Sequence, residues 1–344
     1  MGVLSKATPV KILQCRTTYL LFLEILVFSV VLACGRNVNY TAKYSEQSAP
    51  ECRVVQHIAG ETCVPNHPKR VVTIPFLTLA HAILLDIKPI GSTSSGYGLG
   101  YDLSEESTAT YLSNQTFLGD KAAGIQDVGE TYMPNLEKIL ELKPDLILSW
   151  QATQDIYPLL SQISPTVLAP WQGPPSWKEN FSFVAKALGK EEAAQQAWDR
   201  YYQRIEELKI ALGDQYQDKK ISVINLGGGV ILAHAKNSFS GFILDDIGLQ
   251  RPELQNVVTP FGSILNISEE RLQEIDGDVL FVLVFDSRDK NKLENLQRKP
   301  LWKKLKAVQQ GQVYLVDSGA WAGNSLLAAD AVIDDLYKYL VNTP

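Results

Sequence analysis

The feature that most narrows the possible folds is a unit that occurs twice. Residues Glu137 to Leu148 (EKILELKPDLIL) align without a gap on Glu270 to Phe281 (ERLQEIDGDVLF). The apolar positions would match in any helix-loop-strand unit. The charges say more: Lys138 falls on Arg271, Glu141 on Glu274, and the acid entering the strand, Asp145, on Asp278. Leu142 and Ile275 complete the match. A chain carrying the same helix-loop-strand unit in both halves reads as two similar lobes.

The rest of the pattern agrees. KRVVTIP, a helical LTLAHAILLDI, KPIGS, the repeated unit ending in DLILSW, and PLLSQISPTVLAPW alternate strand and helix as far as Trp171. KISVINL, SGFILDDIGLQRP, the second repeat, QVYLVDSGAW and the closing helix NSLLAADAVIDDLYKYL do the same after Leu212. Between them, Ala197, Tyr201, Ile205, Leu208 and Leu212 recur at helical steps, so Lys190 to Leu212 is expected to be one amphipathic helix of about 35 Å. The expected fold is α/β: two lobes, each a mainly parallel sheet with helices on both faces, joined by one long helix. The expected divisions are an N-terminal lobe over 52–175, an interlobe helical region over 176–213 and a C-terminal lobe over 214–344.

The first 33 residues stand apart. Lys6, Lys11 and Arg16 precede an apolar run from Tyr19 to Ala33 that is broken by Glu24. That is the layout of a secretory signal, and the stretch after Glu24 is short of the roughly 20 apolar residues that cross a bilayer. Val31-Leu32-Ala33 before Cys34 resembles the bacterial lipobox, which makes Cys34 the expected lipidation site, although Leu32 stands where a smaller residue is commoner. If the box is not used, the protein is expected free in the periplasm. Residues 34–51 read as a flexible tether. In an oxidising compartment Cys52 and Cys63 are left as a pair, either bonded across a hairpin that turns near Ala59-Gly60 or free on adjacent strands. A turn at that place does not set them directly opposite.

Chemistry is sparse. No nucleophile elbow, Walker loop or His-Glu-x-x-His occurs, and Gly227-Gly228-Gly229 reads as a tight strand-end turn. The four histidines, His57, His67, His81 and His234, are too scattered for a receptor that ligates a transition metal directly. The net charge of −6 argues against nucleic acid. Strand ends carry aromatic and cationic side chains instead: Trp150, Trp171, Phe285 with Arg288, and Trp321. The loop after KPI adds Tyr97 and Tyr101, and Lys236 adds a further cation. Ligands of open α/β sheets sit beyond the carboxyl ends of strands, so these residues are the candidate binding set. Each is also readable as packing or as plain surface.

Taken in order, PKRVVTIP, DIKPIG, PNLEKILELKPDLILSW, the helical rod, SFSGFILDDIGLQRP, ISEERLQEIDGDVLFV and LWKKLKAVQQGQVYLVDSGAW resemble the substrate-binding proteins of ABC importers for ferric siderophores and vitamin B12. The opening hairpin looks like the ferric dicitrate and ferrichrome branch. The resemblance covers about residues 52 to 340. It implies a shallow interlobe cleft with little hinge closure, and an Fe(III)-siderophore gripped through its organic shell with no metal ligand or cofactor from the protein. It also implies a non-enzymatic monomer that docks an ABC permease and its ATPase subunits through one surface glutamate per lobe, Glu137 and Glu270. The expected location is the periplasmic face of the bacterial inner membrane. A cobalamin or haem receptor would share the scaffold, and a tethered hydrolase is the alternative of another class.

Overall fold

The computed structural model describes residues 52–93, 117–226, 230–264, 267–284 and 287–342, without the side chains of residues 76 and 287–289. The signal segment, Cys34, the tether, Tyr97, Tyr101, Gly227 to Gly229 and Phe285 lie outside the described residues. Cys52–His57 (β1) and Gly60–Pro65 (β2) form an antiparallel hairpin. His57 pairs with Gly60, so the turn falls on Ile58 and Ala59, one residue earlier than the sequence suggests. Gly60, at φ 124°, supplies a backbone conformation that an L side chain rarely adopts. Cys63 faces Val54, not Cys52, yet the two cysteines are bonded on the diagonal with Cα atoms 5.4 Å apart. Thr62 Oγ1 donates to Thr166 O at 2.8 Å, and an Arg53 guanidinium N–H donates to Ala187 O at 2.8 Å, tying the hairpin to the lobe.

The N-terminal lobe is built on Val71–Thr73 (β3), Gly91–Ser92 (β4), Gln126–Asp127 (β5), Leu146–Trp150 (β6) and Thr166–Ala169 (β7). They lie in the order β5-β4-β3-β6-β7, all parallel. Every residue of β6 and β7 is buried, which is why these strands read as continuous runs rather than as alternations. Phe76–Leu84 (α1), Leu136–Glu141 (α2) and Tyr157–Ile163 (α3) connect them. Trp177–Leu188 (α4) ends at Gly189 in the left-handed conformation, and Glu191–Leu212 (α5) then runs for 22 residues.

In the C-terminal lobe, Ile221–Asn225 (β8), Leu232–His234 (β9), Ser263–Ile264 (β10), Val279–Val284 (β11) and Val313–Asp317 (β12) lie in the order β10-β9-β8-β11-β12. β8, β11 and β12 are parallel, whereas β9 runs antiparallel between β8 and β10. The connecting helices are Phe239–Ile247 (α6), Ser287–Gln297 (α7), Lys306–Gln309 (α8), Ser318–Trp321 (α9) and Leu326–Leu336 (α10).

The repeat is physical. Asp145 accepts from the backbone N–H groups of Lys69 and Arg70 at 2.7 and 2.9 Å, fastening the start of β6 to the start of β3. Asp278 accepts from Lys220 N at 2.8 Å and does the same for β11 and β8. Each acid also donates its own N–H to the carbonyl opposite, Arg70 O or Lys220 O. The strand-entry acid is thus the clamp that sets central-pair register in both lobes.

One contiguous core includes Val71, Leu146 and Val167 of the first sheet, Phe181, Tyr201 and Ile205 of the helical layer, and Ile221, Val279 and Phe281 of the second sheet. Polar ties reinforce the layer. Tyr201 Oη donates to Asp246 Oδ2 at 2.7 Å, and Lys178 Nζ reaches the same oxygen at 3.2 Å, joining α4, α5 and α6. Burial and the Asp246 charge push the Tyr201 hydroxyl far above the ordinary range, so it stays a donor. Arg204 holds Asp330 and Asp334 on α10, and Leu327 of α10 packs with Leu79 and Ala80 of α1. The closing helix therefore returns to the first lobe.

His81 on α1 is fully buried against the Phe181 ring, with neither nitrogen hydrogen-bonded. Burial pushes its pKa down to about 3. Loss of solvent likewise pushes His234 down to about 4. Below the ordinary value of 6.5 the unfolded chain binds protons that the fold refuses, so stability falls as pH drops from about 6.5 towards these values. Urea midpoints measured from neutral to mildly acid pH should show this loss, and His81→Leu should remove about one proton from the slope. An unchanged slope would mean that His81 is not a group that the fold keeps neutral.

Candidate functional site

The carboxyl edge of the first sheet is lined by hydroxyls. Thr73 Oγ1 donates to Ser92 Oγ at 3.0 Å, Ser92 Oγ to Thr93 O at 3.2 Å, and Thr93 meets Thr131 through their hydroxyls at 3.2 Å. At the end of β6, Ser149 and Thr153 share a hydrogen bond of 2.6 Å, and Thr153 donates to Trp150 O at 2.8 Å. These short side chains are buried, and their bonds to one another and to main-chain carbonyls satisfy them there.

Beside this edge stand three aromatic rings. Trp150 ends β6, and Trp171 follows β7 after Pro170, as expected from the strand-end rule. Their ring centroids are 5.9 Å apart, and Tyr132 lies 5.9 Å from Trp150 on the other side. Trp150 is 3% exposed, Trp171 is half-buried and Tyr132 is 50% exposed. The Trp150 indole N–H has no hydrogen-bond partner. Gln151 Oε1 accepts from Trp171 N at 3.4 Å, linking the two strand ends. Tyr132 was not singled out from sequence. It follows the two-residue strand β5, which is too short to show a period, but the same strand-end rule applied there would have found it.

At the facing edge, β8 ends at Asn225, and Lys292 of α7 donates from Nζ to Leu226 O at 2.7 Å and to Val230 O at 2.5 Å. The cation thus ties Leu226 to Val230, a role that its place in a polar helix does not advertise. Arg288 falls in the first turn of α7, just beyond the carboxyl end of β11. The lobes approach where Gly173, at φ 90°, passes Pro260: a Cβ built on that glycine would lie 3.6 Å from the Pro260 carbonyl. Phe261 next to it is 72% exposed.

Trp321 is turned into the core, and Lys236 stands apart from the carboxyl end of β8. Trp321 is fully buried, 4.5 Å from the Phe281 ring, and its indole N–H donates to Asp335 Oδ2 at 2.9 Å. Asp317 caps the short helix α9 by accepting from Ala320 N, and that helix turns Trp321 back into the core, away from the sheet edge. Burial raises the Asp335 pKa, which the indole bond partly offsets. Lys236 lies past the end of β9, where its backbone N–H donates to Val257 O at 3.0 Å, on the segment that brings Pro260 to Gly173. Since β9 runs antiparallel to β8, with Asn225 facing Leu232 and Ile224 facing Ala233, the chain beyond His234 has travelled back towards the start of β8. There Lys236 Nζ pairs with Asp245 at 3.5 Å.

The matched glutamates are both exposed on first helical turns. Glu137 follows Asn135, whose side chain caps α2 by accepting from Lys138 N at 3.0 Å. Glu270 follows Ser268 at the head of the 3₁₀ segment Glu269–Ile275, and bonds from its own backbone N–H and from Ser268 hold its carboxyl below the usual range. Neither has a cationic partner among the described residues. Among these residues no group of three or more His, Cys, Asp or Glu side chains gathers at metal-binding distance, and no helix is long and apolar enough to cross a membrane.

The profile of the periplasmic binding protein family matches residues 104–320. Over 338 residues the chain is 32% identical to the Bacillus subtilis protein named "Probable siderophore-binding lipoprotein YfiY", covering 94% of this chain and 98% of that one. Among solved structures, Staphylococcus aureus SirA complexed with staphyloferrin B matches with TM-score 0.68 at 27% identity, covering 84% of this chain and 98% of SirA. The triscatecholate siderophore binding protein FeuA from Bacillus subtilis, complexed with ferri-bacillibactin, matches with TM-score 0.66 at 26% identity, covering 85% of this chain and 99% of FeuA. Two α/β lobes on a shared helical layer, together with these matches along most of the sequence, show that the chain belongs to the periplasmic binding protein family.

Proposed function

We propose that this protein is an extracytoplasmic receptor, lipid-anchored through Cys34, that binds a ferric siderophore between its lobes and delivers it to an ABC permease. The observation that carries the reading is the aromatic wall of Tyr132, Trp150 and Trp171 at the carboxyl edge of a parallel sheet. The exposed faces of Tyr132 and Trp171 suit the organic shell of a chelate, with the buried Trp150 ring backing them. The names of the relatives support the chelate class, since YfiY is named for siderophore binding and SirA and FeuA were solved with siderophores. Tyr97, Tyr101 and Arg288 complete the proposed set, with Arg288 supplying positive charge towards an anionic ligand. The receptor performs no chemistry, contributes no iron ligand, acts as a monomer, and keeps to its permease by the tether over 34–51.

Protein lacking its first 34 residues should show tryptophan quenching with at least one of ferri-bacillibactin, ferric staphyloferrin B and ferric citrate. Trp171→Ala should weaken that binding about 30-fold, or about 2 kcal/mol. Trp321→Phe should leave the affinity unchanged. Quenching by cobalamin or haem alone would overturn the iron assignment.

Glu137 and Glu270 are the proposed docking acids, one per lobe, placed by the repeat on corresponding turns. The double variant Glu137→Lys with Glu270→Lys should abolish ⁵⁵Fe-siderophore uptake in cells and leave quenching unchanged. Uptake that survives the double change would remove the docking role.

A further inference from the structure

The internal repeat carries both docking acids but not their surroundings. Asn135 and Ser268 correspond as caps, and Glu137 corresponds to Glu270. The flanks diverge. Leu140, one turn on from Glu137 and therefore on the same face of α2, is 59% exposed, and its counterpart is Gln273. Met133, two residues before the Asn135 cap, is 78% exposed. The first lobe thus presents apolar projections beside its acid.

The second lobe presents a hollow. A cavity of about 360 Å³ opens between the head of the 3₁₀ segment and α7, with Ile231, Ile267 and Leu296 as apolar walls and Glu269, Lys292 and Lys299 as its charged lining. The three apolar side chains are 6%, 3% and 6% exposed, so the walls are packed into the second core of that lobe and do not collapse into the space. At the lip, Lys299 pairs with Glu269 at 3.3 Å. Glu270, the next residue along the 3₁₀ segment, has no cationic partner among the described residues, and its own N–H and Ser268 hold its carboxyl below the usual range.

A hollow with apolar walls beside a fixed anion is complementary to an apolar side chain next to a base. An apolar projection beside an anion is complementary to a hollow next to a base. We propose that the permease partner presents two unlike surfaces, one placing an apolar side chain in the cavity beside Glu270 and the other receiving Leu140 beside Glu137, so that the receptor seats one way round. The inference rests on the docking reading above and adds to it: two acids related by an internal repeat look alike to a partner, and the unlike flanks are what distinguish the lobes.

The test is ⁵⁵Fe-siderophore uptake by cells expressing the full chain, paired with tryptophan quenching by the same ferric chelate. Asn295 is exposed at the cavity mouth, so Asn295→Trp covers the opening without disturbing the core. It should lower uptake about tenfold with unchanged quenching. Glu294→Trp, one position away on the same helix and not lining the cavity, should transport normally. Leu140→Asp should lower uptake similarly, and Gln273→Asp should not. Normal uptake by Asn295→Trp and Leu140→Asp, with the double lysine variant inactive, would overturn the inference and leave the docking acids standing. Altered quenching in Asn295→Trp would overturn it too, by assigning the cavity to the ligand. If the double lysine variant transports normally, both fall.

Discussion

Everything at the site depends on a helical layer whose buried face is shared by both lobes. α4 and α5 contribute Phe181, Val184, Tyr201 and Ile205 to a core that also takes in the central strands of both sheets. Because that interior is close-packed, one lobe cannot slide against the other without opening voids along the layer. Asp246 adds direction to the packing: one carboxylate oxygen takes the Tyr201 hydroxyl and the Lys178 ammonium, so three helices meet at a defined point. The layer therefore holds the two lobes together through a shared core and a polar tie.

The two edges are not built alike. The first carries Tyr132, Trp150 and Trp171 beside buried hydroxyls that satisfy one another. In the second, Lys292 ties Leu226 at the end of β8 to Val230 ahead of β9. The antiparallel β9 is the reason for the difference, since the hairpin puts a turn where the first lobe has a crossover.

Much of this was legible. The pairing of Glu137 with Glu270, and of Asp145 with Asp278, came from residue identity alone, and the structure gives the second pair a mechanical reason. The lobes, the mainly parallel sheets and the long helix followed from periodicity. Trp150 and Trp171 come together as the strand-end rule suggests, and the cysteine pair is bonded despite its diagonal register. Three positions were not legible. Tyr132 follows a strand too short to show a pattern. Trp321 also follows a strand, yet a four-residue helix capped by Asp317 rotates it inward. The place of Lys236 was set by the direction of β9, and strand direction leaves no mark on a three-residue segment.

The division has a physical basis. Periodic burial and paired acids are local properties, written residue by residue, so the sequence by itself determined the lobes, their repeat, the bracing helix and the scarcity of catalytic groups. Which aromatic faces a ligand and which faces the core depends on how a short helix or strand is turned by what it packs against. Only the tertiary structure decided that Tyr132 joins Trp150 and Trp171 while Trp321 packs on Phe281, and that one of the matched glutamates stands near a projecting leucine while the other follows Glu269 at the lip of a hollow.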